Sequence, residues 1–137
     1  MRYVNDSKAT NPAAVLAALR ALEPVPQGNV LLLAGGLDKD MDFEALAAAA
    51  PWLKLAALYG ACRAKIMTVL RDLAPTVECA SFEEAFERAR EQAESGDIVL
   101  LSPAAASMDM FKDYRERGET FVRLVRASAL RQHPGQH

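Results

Sequence analysis

The chain has few of the features that mark special classes of protein. Its 137 residues include only two cysteines and two histidines, and the formal net charge is −2. So small a charge gives no electrostatic argument for binding nucleic acid or an anionic membrane surface. No apolar run approaches the ~20 residues of a membrane span, and residues 1–6 do not form a signal peptide. We therefore expect a single cytoplasmic domain with no nucleic-acid or membrane partner.

Several motifs with known chemistry are also missing. Cys62 and Cys79 lack a CxxC spacing or a neighbouring histidine, so they predict buried thiols and no metal site. There is no GxGxxG, Walker GxxxxGK[ST], HExxH or GxSxG sequence. Nucleotide cleavage, metalloprotease and serine-hydrolase chemistry therefore cannot be housed in this chain alone.

Alternating apolar patterns predict the fold. Four large apolar residues at 98–101 are typical of a strand buried on both faces, and Ser102-Pro103 ends it in a loop of small residues. Pro12 after Asn11 begins a helix, and Ser81 with Glu84 forms a capping box. The predicted strands are 3–4, 29–34, 53–59, 76–79 and 98–101. The predicted helices start near 12, 43, 62 and 82, Pro51 closes the second, and the last one buries Phe121, Leu124 and Val125. This order indicates an α/β fold, a doubly wound and largely parallel sheet flanked by helices.

Right-handed crossovers place all loops that follow strands at one edge of such a sheet. These loops, 5–11, 35–40, 60–63 and 102–109, are the most polar and glycine-rich in the chain. Ammonium groups, hydroxyls and helix amides suit a phosphate or carboxylate ligand, and a carboxylate suits ribose hydroxyls. In the alternative interpretation, Thr10, Asn11 and Asp42 only cap helices and the lysines are solvated. The candidate residues are Asp6, Lys8, Thr10, Lys39, Ser102 and Ser107.

Three motifs in this order make a more specific pattern. They are NDSKATN at 5–11, GGxDK at 35–39 and LSPAxASxDxF at 101–111, followed by Arg117-Gly118-x-x-Phe121. Together they resemble the C-terminal domain of the Mur ligases, and among these the members that add D-glutamate. The resemblance extends to about residue 130, so we expect a Rossmann-like domain over 1–131 and a disordered tail over 132–137.

The resemblance implies a function in peptidoglycan synthesis. Such ligases use ATP and Mg²⁺ to phosphorylate the carboxylate of UDP-N-acetylmuramoyl-L-alanine, and the amine of D-glutamate then attacks the acyl phosphate. Their C-terminal domain binds the amino acid and closes over the nucleotide. By matching positions, Asp6 holds the ribose, Lys8 lies near the reacting groups as the catalytic lysine, and D-glutamate contacts Thr10, Lys39, Ser107 and Tyr114. We also expect the protein to be monomeric.

The chain also departs from the family pattern. The P-loop, the metal ligands and the modified lysine of the central domain are missing, so the chain is expected to be inactive alone. Its abrupt start favours an excised domain. Ala105 stands where a relative can carry Cys, and Tyr114 where Phe is common. The alternatives are a stand-alone binding module with this fold, or a domain of a related ligase similar to folylpolyglutamate synthase.

Overall fold

The computed structural model describes residues 1–37, 41–106 and 111–132. Within them, five parallel strands form one sheet in the order β1-β5-β2-β3-β4. No helix in these ranges is long and apolar enough to cross a membrane. The strands are β1 Arg2–Asn5, β2 Val30–Gly35, β3 Leu53–Tyr59, β4 Thr76–Glu78 and β5 Ile98–Ala104, and the helices are α1 Pro12–Leu22, α2 Arg63–Leu70, α3 Phe82–Gln92 and α4 Tyr114–Gln132, with a 3-10 helix at Glu44–Trp52.

The helices cover both faces of the sheet, as a doubly wound fold requires. Alternate residues of β2 show this, because Leu32 packs in a core with α1, α2 and the 3-10 helix, while Leu33 packs in a core with α3. Phe121 of α4 joins the second core. The predicted α/β class and the buried, parallel strands are therefore confirmed.

The second predicted helix differs in type and extent. It is a 3-10 helix that continues through Pro51 to Trp52, although Pro51 was expected to close the helix. The predicted Asp42 cap was wrong by one residue: Phe43 is the N-cap and makes no side-chain capping bond. Asp42 Oδ1 accepts a hydrogen bond from the amide of Glu44 at 2.8 Å, just before the helix. Pro51 has no amide hydrogen, so the 3-10 helix lacks one of its backbone hydrogen bonds at that position.

Two predicted strand ends were also wrong, and one of them lies near the predicted site. β5 does not break at Ser102-Pro103 but runs to Ala104. Its register against β2 shifts between Leu33 and Gly35, as expected where a proline cannot donate to the ladder. The other is the end of β4, which stops at Glu78 and leaves Cys79 outside the strand.

The last helix begins earlier than its apolar residues indicate. α4 starts at Tyr114, so Arg117 and Gly118 lie inside the helix. Phe121 is buried, whereas Leu124 and Val125 are half-buried against the same core. The boundary at residue 131 stays a prediction, because residues 133–137 of the predicted tail lie outside the described residues.

A buried arginine of α4 ties together the loops that follow β1, β2 and β5. Arg117 is fully buried. Its Nη2 donates to the carbonyl oxygen of Ser7 at 2.8 Å, and its Nη1 donates to that of Ala105 at 3.0 Å. A longer bond of 3.5 Å runs from Nη1 to the carbonyl oxygen of Gly35. One guanidinium thus fixes the ends of three adjacent strands.

Replacing Arg117 with methionine should lower the free energy of unfolding of the chain by about 3 kcal/mol, because buried carbonyl groups lose a charged donor. Urea unfolding followed by circular dichroism measures this change. Arg123→Met is the matched control, since Arg123 is exposed on the same helix and should shift stability by less than about 0.5 kcal/mol. Equal losses in the two variants would contradict the role given to Arg117.

Candidate functional site

The loops at the carboxyl edge of the sheet are joined to one another by backbone hydrogen bonds. The amide of Ala104 donates to the carbonyl oxygen of Ala9 at 3.0 Å, and the amide of Leu37 donates to that of Ala106 at 2.7 Å. The amide of Cys62 donates to the carbonyl oxygen of Gly36 at 3.0 Å. The loops after β1, β5, β2 and β3 therefore form one connected surface, as the predicted parallel sheet requires.

Glycine is required at position 36, in the centre of this surface, because the backbones of two loops approach closely there. Gly36 has a φ of 141°, and a Cβ there would lie 2.0 Å from the carbonyl oxygen of Ala106. Ala104 also has a positive φ, 67°, and it is fully buried. Such backbone conformations cluster at binding sites, and here they turn β2 and β5 into their loops.

The NDSK part of the first motif alternates between two sides of the sheet edge. Asp6 and Lys8 line a cleft against α1, whereas Asn5 and Ser7 line a groove against α4. The chain turns at Ser7 and Lys8, directly after β1, and the amide of Ala9 donates to the carbonyl oxygen of Asp6 at 3.0 Å. One short segment therefore contributes to two separate concave surfaces.

The cleft against α1 has a volume of about 480 Å³. Its other walls are alanines, among them Ala14, Ala17 and Ala18, so the helix side is shallow and apolar. Asp6 is half-buried and Lys8 is exposed. A carboxylate and an ammonium group over a flat apolar wall suit a ligand with hydroxyls, phosphates and a planar ring.

The carboxylate of Asp6 accepts a hydrogen bond from a buried residue of β5. Ser102 Oγ donates a hydrogen bond to Asp6 Oδ2 at 3.0 Å, and Ser102 is fully buried. The amide of Asp6 also donates to the carbonyl oxygen of Leu101 at 2.7 Å. Both the backbone and the side chain of Asp6 are thus attached to β5.

The groove against α4 is larger, about 630 Å³, and contains Tyr114. The Tyr114 side chain is exposed, and the Arg115 guanidinium lies over its ring, with Cζ 5.7 Å from the centroid. Gly118 lets α4 approach the first loop, because a Cβ there would lie 2.5 Å from Ser7 Oγ. The structure therefore brings Asp6 and Lys8 together but places Tyr114 on a different surface.

The remaining predicted residues are partly outside the described structure. Thr10 is half-buried beside Asn11, which caps α1 by accepting a hydrogen bond from the amide of Ala14 at 2.9 Å. Lys39 and Ser107 lie outside the described residues. In sequence they follow Leu37 and Ala106, whose backbones form an antiparallel bridge. Their contact with a ligand stays a prediction.

Arg117 was predicted only as part of a motif, and its structural role was not predicted. The signal was its spacing, since residues 117, 121 and 124 are separated by four and three positions and share one helical face. An arginine on the buried stripe of a helix needs acceptors within the protein. The carbonyl groups of the strand-end loops are those acceptors.

The two cysteines do not contribute reactive groups to this surface. Both are buried and form no disulfide. Burial, with a smaller effect of the nearby Glu84 carboxylate, raises the pKa of Cys79 to about 11, so this thiol is protonated at neutral pH. The prediction of buried thiols is confirmed.

A family comparison covers most of the fold just described. Residues 1–105 match the model of the family described as Mur ligase, glutamate ligase domain. These residues include β1 to β5, and with them Asp6, Lys8 and Ser102.

Curated relatives match a still larger part of the chain. A UDP-N-acetylmuramoylalanine–D-glutamate ligase of Methylococcus capsulatus is 48% identical over 128 residues, which is 93% of this chain and 27% of the relative. One of the same name from Hahella chejuensis is 44% identical over 126 residues, 91% of this chain and 28% of the relative. The chain thus spans little more than a quarter of the length of these relatives.

A solved structure supports the fold. A domain of a candidate UDP-N-acetylmuramate:L-alanyl-gamma-D-glutamyl-diaminopimelate ligase from Haemophilus ducreyi superposes with a TM-score of 0.55 at 21% identity, covering 85% of each chain. At that identity the likeness concerns the fold alone. The family match over residues 1–105, together with the curated relatives, places this chain in the Mur ligase family, as its glutamate ligase domain.

Proposed function

We propose that this chain is the amino-acid-binding, C-terminal domain of an ATP-dependent, cytoplasmic and monomeric ligase. That ligase adds D-glutamate to UDP-N-acetylmuramoyl-L-alanine. The observation that carries the proposal is the identity of 44% and 48% to two D-glutamate ligases across more than nine-tenths of the chain. The pairing of Asp6 with Lys8 in one cleft at the carboxyl edge of the sheet supports it.

In this function the residues of the chain bind and orient, and none is a nucleophile. Asp6 accepts hydrogen bonds from the ribose hydroxyls of the nucleotide, and Lys8 attracts negative charge on the phosphates and the reacting carboxylate. ATP supplies the phosphoryl group that activates the carboxylate. We infer that Mg²⁺ is held mainly by the phosphates and by residues outside this chain. Among the described residues, no group of three or more His, Cys, Asp or Glu could hold a metal ion.

D-Glutamate carries two carboxylates into a partly closed site, which is favourable only where cations and donors replace water. Lys39 pairs with one of them, while the hydroxyls of Thr10 and Ser107 and the ring of Tyr114 fix the orientation. Holding the amine about 3–3.5 Å from the acyl carbon is the main catalytic contribution such a domain makes. The exposure of Tyr114 fits a contact that forms when the complete enzyme closes.

The complete protein that carries this chain should release phosphate from ATP only when UDP-N-acetylmuramoyl-L-alanine and D-glutamate are both present. The 137-residue chain alone should release none, because the cleft beside α1 and the groove beside α4 are each open on one side. A coupled phosphate assay measures this, with L-glutamate as the control for specificity. Release that requires a folate substrate would instead support a folylpolyglutamate synthase-like ligase.

Asp6→Ala in the complete ligase should raise the KM for ATP by about tenfold or more, because two charge-assisted hydrogen bonds to ribose are lost. The KM for D-glutamate should change little. Initial rates with one substrate varied at a time separate the two effects. Asp72→Ala is the matched control, since it removes an exposed carboxylate just after α2. A rise in the KM for ATP of this control variant would point to a general charge effect.

Lys39→Ala should affect D-glutamate and not ATP, in contrast to Asp6→Ala. It should raise the KM for D-glutamate by about tenfold or more, since a desolvated carboxylate of the substrate loses its cation. The KM for ATP should stay within about twofold. Arg71→Ala removes an exposed cation at the end of α2 and is the control. Unchanged kinetics with D-glutamate in the Lys39 variant would remove this residue from the site.

A further inference from the structure

Ser102 occupies a position that no motif role accounts for. It lies inside β5, is fully buried, and donates a hydrogen bond through Oγ to Asp6 Oδ2 at 3.0 Å. We infer that Ser102 is a positioning residue for the nucleotide, which orients the Asp6 carboxylate toward the ribose. This inference rests on the proposed function and adds a residue to its binding machinery.

The register of the sheet explains why these two side chains meet. Asn5 of β1 pairs with Leu101 of β5, so Asp6 and Ser102 are the next partners along the two chains. Side chains of register partners in parallel strands lie side by side on one face. Two residues earlier, Val4 and Leu100 pack in the core on the α1 side. Asp6 and Ser102 therefore continue that face, up to the cleft beside α1.

The bond restricts the carboxylate without using up its capacity to bind. An ionised carboxylate has about four acceptor sites on its two oxygens, and Ser102 occupies one of them. Oδ1 and the remaining sites on Oδ2 are left for ligand hydroxyls. A single rotamer of Asp6 is selected before the ligand arrives, so less side-chain entropy is lost on binding.

A purely structural role for Ser102 makes a different prediction. Removing a buried hydroxyl lowers the stability of the domain only slightly when its partner can turn to solvent. Such a loss would act on all substrates alike. A positioning role instead predicts an effect on ATP alone, and only while Asp6 is present.

The test is a double-mutant cycle in the complete ligase. Ser102→Ala should raise the KM for ATP by about five- to tenfold, with kcat and the KM for D-glutamate within twofold of wild type. In an Asp6→Ala background, Ser102→Ala should cause no further rise. Ser81→Ala is the matched control, because loss of the α3 cap at Ser81 also destabilises the domain but should leave the KM for ATP unchanged.

Ser102→Cys is the second variant, since it keeps the buried volume and a weak donor. It should give a smaller rise in the KM for ATP than alanine. Two outcomes would overturn this inference but not the proposed function, provided that the wild-type enzyme is active. The first is an unchanged KM for ATP in both Ser102 variants. The second is a further rise in the KM for ATP when Ser102→Ala is added to Asp6→Ala. A wild-type protein without D-glutamate-dependent phosphate release overturns the proposed function and the inference with it.

Discussion

The buried guanidinium of Arg117 is the interaction on which the site depends. Removing an arginine from water is costly unless acceptors inside the protein replace its hydration. Here those acceptors include the carbonyl groups of Ser7 and Ala105, which belong to the first and last strand-end loops. The cost of burial is offset only when these loops hold their positions, so the stability of α4 and the geometry of the site are coupled.

The sheet order makes this coupling effective. β5 lies between β1 and β2, so the loops that carry the three motifs are neighbours in space although they are far apart in sequence. The NDSK segment then divides its side chains between the cleft beside α1 and the groove beside α4. Under the proposed function, this one short segment contributes to both the nucleotide site and the amino-acid site, and a ligase must bring these two ligands together with little freedom.

Periodicity predicted the fold well because its signals are local. The buried strands, the Asn11 cap and the apolar face of α3 could be inferred from a few adjacent residues. The errors lie where tertiary contacts override local rules: Pro51 inside a 3-10 helix, β5 continuing through Pro103, and α4 beginning before its apolar residues. The motifs predicted Asp6 and Lys8 as site residues. The helical spacing of Arg117 indicates that it is buried but not which carbonyl groups it contacts, and the hydrogen bond from Ser102 to Asp6 leaves no local pattern.

The extension of β5 has a functional consequence. Had the strand ended at Leu101, as its apolar residues indicate, Ser102 would lie in a loop and its hydroxyl would have no fixed direction. Inside the strand, its side chain is aimed by the same register that pairs Val4 with Leu100. The Pro103 irregularity and the positive φ of Ala104 then turn the chain away after the serine is in place. The sheet itself, more than the loops, therefore determines where the Asp6 carboxylate points.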